Sequence, residues 1–148
     1  MYKKLLIIFA VLLIGAAFPG CSHSNNKLAP GEPSYAEGIT ETMLEALSSG
    51  DYQSYSMAFN AEMAQMTPES VFSDYRGFIQ SKIGAYKSKK FSSAKADGDK
   101  NTVTYIAKFT KEPKDVVVTI IFQVDGDKIS VADFWLNSPK MWENKAPA

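Results

Sequence analysis

The apolar period of this chain changes at Gly84, and that change limits the folds open to it. Before Gly84, Val71, Phe72, Tyr75, Phe78, Ile79 and Ile83 recur at the three- and four-residue spacing that lines one face of an α-helix. After it, side chains alternate: Val103, Tyr105, Ala107 and Phe109 share one face of "TVTYIAKFT", with Thr104 and Lys108 on the other. Val116, Val118, Ile120, Phe122 and Val124 repeat the alternation in "DVVVTIIFQV", and "KISVADFWLN" makes a last strand. Helices first and strands afterwards predict an α+β domain, with about three N-terminal helices on one face of an antiparallel meander of about four strands.

Local signals mark the element ends. Ser34 and Glu37 have capping-box spacing and open a helix predicted from Tyr35 to Ser49, with Ala36, Ile39, Met43, Ala46 and Leu47 on its apolar face. Gly50 suits the helix end, and Asp51 suits the cap of a short helix in "DYQSYSMAF"; Asn60 begins a further turn. Thr67, Pro68 and Glu69 read as cap, first helical position and first-turn acid of the helix that runs to Gly84. Asp97-Gly98 and Asp125-Gly126 are hairpin signals. In "AYKSKKFSSAKA", Lys87, Lys89 and Lys90 suggest an edge strand, where lysines discourage strand-to-strand association.

The first 21 residues address a different question. Lys3 and Lys4 precede an uncharged apolar run from Leu5 to Phe18, roughly 14 residues, shorter than the ~20 needed to span a bilayer core. A secretory signal fits this pattern. The run ends in "FPGC", which resembles the lipobox of bacterial lipoprotein signal peptides, with Gly20 before Cys21, the only cysteine of the chain. The resemblance implies lipidation of Cys21 as the new N-terminus of an exported protein held at the membrane, on its periplasmic or cell-surface side. Cleavage after Ala17 is the competing reading, and it leaves Cys21 as a free thiol. Residues 22–33, "SHSNNKLAPGEP", are polar and proline-containing and read as a flexible tether reaching at most about 40 Å. The domain is then expected over residues 34–138, with a tail over 139–148 carrying Met141 and Trp142.

Composition excludes several chemistries. The chain has 16 basic and 16 acidic residues; loss of residues 1–21 removes two lysines and no acid, leaving a net charge of −2. Nucleic-acid binding through phosphate neutralisation is unsupported, so no nucleic-acid partner is expected. His23, the only histidine, lies in the tether, so residues 34–138 hold neither His nor Cys. That removes Ser-His-Asp and Cys-His machinery and the usual nitrogen and sulfur ligands of zinc or copper. No glycine-rich phosphate loop occurs, and no cofactor is expected.

A long helix ending in "SSGDY", a short second helix, a third opened by "TPES" and closed by Gly84, and a terminal meander resemble the nuclear-transport-factor-2-like, or cystatin-like, superfamily. The resemblance covers roughly Tyr35 to Leu136 and implies a strongly curved sheet around a cone-shaped cavity. It implies no single function, since members include isomerases, dehydratases, transport proteins and non-catalytic accessory domains.

Within that frame Tyr75, Tyr105, Phe109, Phe122, Asp133 and Trp135 are the ligand-binding candidates, with Phe78 also on the aromatic list. Phenol and indole groups give such a pocket polar handles, although aromatics on an inward sheet face also serve simply as core. Asp133 in a regular last strand shares a face with Ile129, Val131 and Trp135, which points a carboxylate at the apolar interior. A bulge near Ala132 would turn it outward and send Phe134 and Leu136 in. Asp133 is therefore also the one weak catalytic candidate. The acidic row Glu37, Glu41, Glu45 reads as the solvated face of the first helix.

The reading that follows is a membrane-tethered, non-enzymatic cell-envelope domain that binds a small apolar or amphipathic ligand or serves as an accessory domain. Two alternatives stand beside it. One is an isomerase- or dehydratase-type enzyme using Asp133. The other is an interaction module, homodimeric or docked on an envelope protein, that uses a sheet face bearing Thr104, Lys108, Thr119, Ile121 and Gln123.

Overall fold

The computed structural model describes residues 29–143. The signal segment, Cys21, the tether up to residue 28 and the last five residues of the tail lie outside the described residues. Helix α1 (Ala36–Ser49) buries Met43, Leu44 and Leu47. The capping box does not form: Tyr35 is the N-cap residue, already in helical conformation, and no side chain caps it. The chain instead enters the helix through a turn in which the Ala36 N–H donates to the Pro33 carbonyl at 2.9 Å. Asp51 caps α2 (Tyr52–Ser56) by accepting from the Ser54 N–H, and Asn60 caps α3 (Ala61–Met66) by accepting from the Met63 N–H, as their sequence positions predict. Helix α4 (Glu69–Lys82) starts one residue later than expected, with Pro68 at the cap, and buries Phe72 and Ile79.

Four strands follow: β1 (Tyr86–Asp97), β2 (Lys100–Phe109), β3 (Glu112–Asp125) and β4 (Lys128–Asn137), antiparallel and in the order β1-β2-β3-β4. The α+β layout and the four-stranded meander match expectation. Among the described residues there are five helices rather than about three. The run after Gly50 splits into two short helices because Phe59 leaves the helical path to bridge Val131, and Pro139–Trp142 forms α5. Met141 of α5 is buried, and the buried Glu112 carboxylate accepts from the Lys114 and Lys140 N–H groups, so the start of the tail is folded onto the domain.

Two of the three hairpins use the same tetrapeptide, Asp-Gly-Asp-Lys, at 97–100 and 125–128. In both, the glycine is the first of two loop residues and has positive φ, 62° at Gly98 and 59° at Gly126, which matches the strand twist. The middle hairpin, Thr110-Lys111, has no glycine and is braced by the end of α4. The Lys111 N–H donates to the Ile83 carbonyl at 2.9 Å, and the Ala85 N–H to Thr110 Oγ1 at 2.9 Å. Gly84, at φ 82°, lies against this turn.

The inner sheet face carries Val103, Tyr105, Ala107 and Phe109 from β2 and Val116, Val118, Ile120 and Phe122 from β3, all buried against α1 and α4. In β4 the alternation breaks. Asp133 pairs with Ile121 and Val131 with Phe122, so Ala132 is an extra residue, a bulge. Phe134 and Leu136 consequently point into the core, while Asp133 and Trp135 face out, Trp135 with 40% exposure. The regular-strand expectation for Asp133 and Trp135 fails, and the bulged alternative holds.

Candidate binding cleft

β4 is an edge strand, and an edge strand must satisfy backbone amides that face away from its sheet. Here four such groups are met locally. The Val131 N–H donates to the Ala58 carbonyl at 2.7 Å, and the Val131 carbonyl accepts from the Asn60 N–H at 2.9 Å. Past the bulge, the Phe134 N–H donates to Asp133 Oδ1 at 2.8 Å and the Leu136 N–H to the Tyr75 hydroxyl at 3.2 Å. A side chain thus serves as the neighbour that a fifth strand would have been.

Between this edge, α3 and the first half of α4 lies a cleft of about 560 Å³. Its apolar lining comes from Met63, Met66, Val71, Ile121 and Phe134, and its charged lining from Glu62, Lys100 and Asp133. Asn60 closes one side by donating from Nδ2 to Gln123 Oε1 at 2.9 Å, which ties the start of α3 to β3. Tyr55 and Tyr75 also line it. Tyr55 is 2% exposed, its ring packed against Phe59, Phe72 and Phe134 with centroids 5.3, 4.7 and 5.9 Å away. Its hydroxyl opens on the cleft and makes no hydrogen bond among the described residues.

Burial pushes the Tyr75 phenol up to about 12. Burial first, and then the nearby Tyr75 and Asp133, raise Tyr55 further still. Both phenols are therefore protonated at any physiological pH and can donate as well as accept.

The structure divides the six residues proposed as ligand-binding. Tyr105, Phe109 and Phe122 are core; the Tyr105 hydroxyl donates to Glu32 Oε1 at 2.7 Å, and the Phe122 ring packs edge-on against Tyr35 at 5.1 Å. They fill the concave face instead of leaving it open. Trp135 lies on the opposite sheet face, paired across strands with Thr119. Only Tyr75 and Asp133 reach the cleft. Sequence reasoning missed Tyr55, Met63, Met66 and Lys100. A signal was present, because Met57, Met63 and Met66 crowd ten residues, Met57 and Met66 are largely exposed, and exposed methionines are typical of adaptable apolar binding surfaces.

A second polar constellation lies between α1 and β1. The Lys89 side chain is only 5% exposed, and its ammonium sits 3.0 Å from Glu37 Oε1 and 2.5 Å from Glu41 Oε2. Glu41 Oε2 also accepts from the Tyr86 hydroxyl at 2.8 Å, and the ammonium lies 5.3 Å from the Tyr105 ring centre. Two of the three acids expected on a solvated face therefore grip an inward-pointing lysine, while Lys87 and Lys90 are exposed. Among the described residues no cluster of three or more His, Cys, Asp or Glu side chains is placed to hold a metal ion, and no helix is long and apolar enough to cross a membrane.

Helices packed on a four-stranded antiparallel meander, with a cleft at its last strand, define a small α+β domain. The chain belongs to the DUF3887 family, described as proteins of unknown function, whose profile matches residues 40–130. The match runs from within α1 to the start of β4 and stops just short of the bulge. No curated protein matches the chain. Among solved structures, RPA3114 of Rhodopseudomonas palustris, a SEC-C motif containing protein, is similar with a TM-score of 0.50 at 13% identity, over 68% of this chain and 77% of that one. Bd1075 of Bdellovibrio bacteriovorus gives a TM-score of 0.44 at 14% identity, and this chain spans 38% of its length. At these identities the likeness to RPA3114 concerns the fold alone.

Proposed function

We propose that this protein is an exported, lipid-anchored member of the cell envelope whose domain binds a small amphipathic molecule without transforming it. The cleft carries the reading. At about 560 Å³, with apolar walls and a few polar groups, it has the size and composition of a small-molecule site. The anchor is supported by "FPGC" after a short apolar run. The order of helices and meander supports placing the domain in the nuclear-transport-factor-2-like superfamily. The enzymatic alternative rested on a carboxylate inside the apolar interior, and Asp133 instead faces out through the bulge.

Native mass spectrometry of the full chain, purified gently from a bacterial host, tests both halves. The expected chain mass corresponds to loss of residues 1–20 and gain of a diacylglycerol on Cys21, a gain abolished by Cys21→Ala. The expected native spectrum shows a monomer carrying a small non-covalent adduct. An intact or unlipidated N-terminus contradicts the anchor. An empty dimer contradicts the ligand reading and shifts weight to an interaction module.

A further inference from the structure

The cleft has a polar end, and its chemistry narrows what can bind there. Asp133 has one carboxylate oxygen committed to the Phe134 N–H, while Oδ2 makes no hydrogen bond among the described residues. The Tyr55 hydroxyl, on a side chain almost wholly buried, is likewise unpartnered there and lines the same cleft. Its oxygen is not sealed from solvent, so a group bound in the cleft can reach it. Two acids, Glu62 and Asp133, line the space against one base, Lys100. Lys100 belongs to β2, two strands from Asp133, which places their backbones roughly 10 Å apart or more.

We propose, building on the small-ligand reading, that the cleft takes a small organic ammonium ion. Its N–H groups are held by Asp133 Oδ2 and the Tyr55 phenol oxygen, and its apolar body lies on Met63, Met66 and Val71. A carboxylate accepts only, so the matching group must donate, and an ammonium offers several N–H bonds to a site with an acidic excess. An anionic head at that end would face the Asp133 carboxylate, and among the described lining residues its opposite charge is Lys100, two strands away.

Three probes of nearly equal shape separate head-group recognition from apolar filling: 2-phenylethylamine, 2-phenylethanol and 3-phenylpropionate. Each is titrated calorimetrically into the full chain in phosphatidylcholine nanodiscs, with empty nanodiscs as the blank. The amine is expected to bind at least about tenfold more tightly than either of the others, the size of one charge-assisted hydrogen bond. Asp133→Asn is expected to erase that preference and leave alcohol binding unchanged. Asparagine keeps an Oδ1 acceptor for the Phe134 N–H, so the bulge is retained. Tyr55→Phe is expected to weaken the amine about fivefold.

Equal or tighter binding of the propionate overturns the proposal in favour of Lys100. Equal binding of amine and alcohol also overturns it, but leaves a small-ligand cleft that does not read charge. Saturation by none of the three overturns it as well, and with a native spectrum free of adducts removes the small-ligand reading too. The three-probe comparison on the unaltered chain decides the question even where a variant is too unstable to titrate.

Discussion

Gly84→Ala is expected to destabilise the domain by about 3 kcal/mol, combining the ~1–2 kcal/mol strain of a left-handed residue with the 1–3 kcal/mol typical of overpacking. Gly84 has φ 82°, and a Cβ there would lie 2.2 Å from Thr110 Oγ1 and 3.1 Å from the Lys111 backbone nitrogen. The side-chain obstacle is not a flexible tip. Thr110 Oγ1 is held in place as acceptor of the Ala85 N–H, and the Thr110 N–H donates to the Ala85 carbonyl. Gly84 also ends α4 by donating to the Ile79 carbonyl at 3.1 Å, so the strain falls where α4 hands over to the sheet. Urea unfolding measures the loss. Adding Thr110→Ala should recover the steric part and leave the conformational part. A Gly84→Ala midpoint equal to that of the unaltered protein would mean that the helix end does not press on the turn.

The second large effect is expected at Lys89. Lys89→Met removes the ammonium and leaves Glu37 and Glu41 facing each other beside the core. Breaking a fully buried ion pair costs about 3–5 kcal/mol, but these two acids are partly exposed, so about 2 kcal/mol is expected. Changing Glu37 and Glu41 to Gln in the Lys89→Met background should restore most of the stability, because apolar or neutral replacements of such a group are often neutral. Glutamine at 41 still offers an acceptor to the Tyr86 hydroxyl. Comparison of urea midpoints for the single and triple variants is the test. A Lys89→Met variant as stable as the starting protein would show that the ammonium is solvated rather than clamped.

What the sequence disclosed, and what it withheld, follows from the range of the interactions. The change of period at Gly84, the Asp51 and Asn60 caps and the two Asp-Gly hairpins depend on neighbours a few residues away, so they were legible. The bulge at Ala132 was legible only as one of two alternatives. It goes with what lies along the β4 edge, and those partners, Ala58, Asn60 and Tyr75, are more than 50 residues distant in the chain. From that one undecided residue followed the misplacement of Trp135. Lys89 was misread for a related reason: a lysine in an edge strand looks solvated until α1 places two carboxylates over it. The aromatic candidates on β2 and β3 were rightly placed on the inner face. Aromaticity alone does not tell core from cavity, and here Leu44, Leu47, Phe72 and Ile79 fill the space in front of them.

The central claim is that the space between α3, α4 and the β4 edge is the binding site, and the methionines report on it directly. Met63 and Met66 line that cleft, Met57 is exposed outside it, and Met43 and Met141 are buried elsewhere. We would record methyl NMR spectra of the full chain with ¹³C-methyl methionine while titrating 2-phenylethylamine and then 2-phenylethanol. Saturable shifts at Met63 and Met66 with at least one probe, and a silent Met57, are the predicted result; shifts confined to Met57, or none with either probe, would contradict the account.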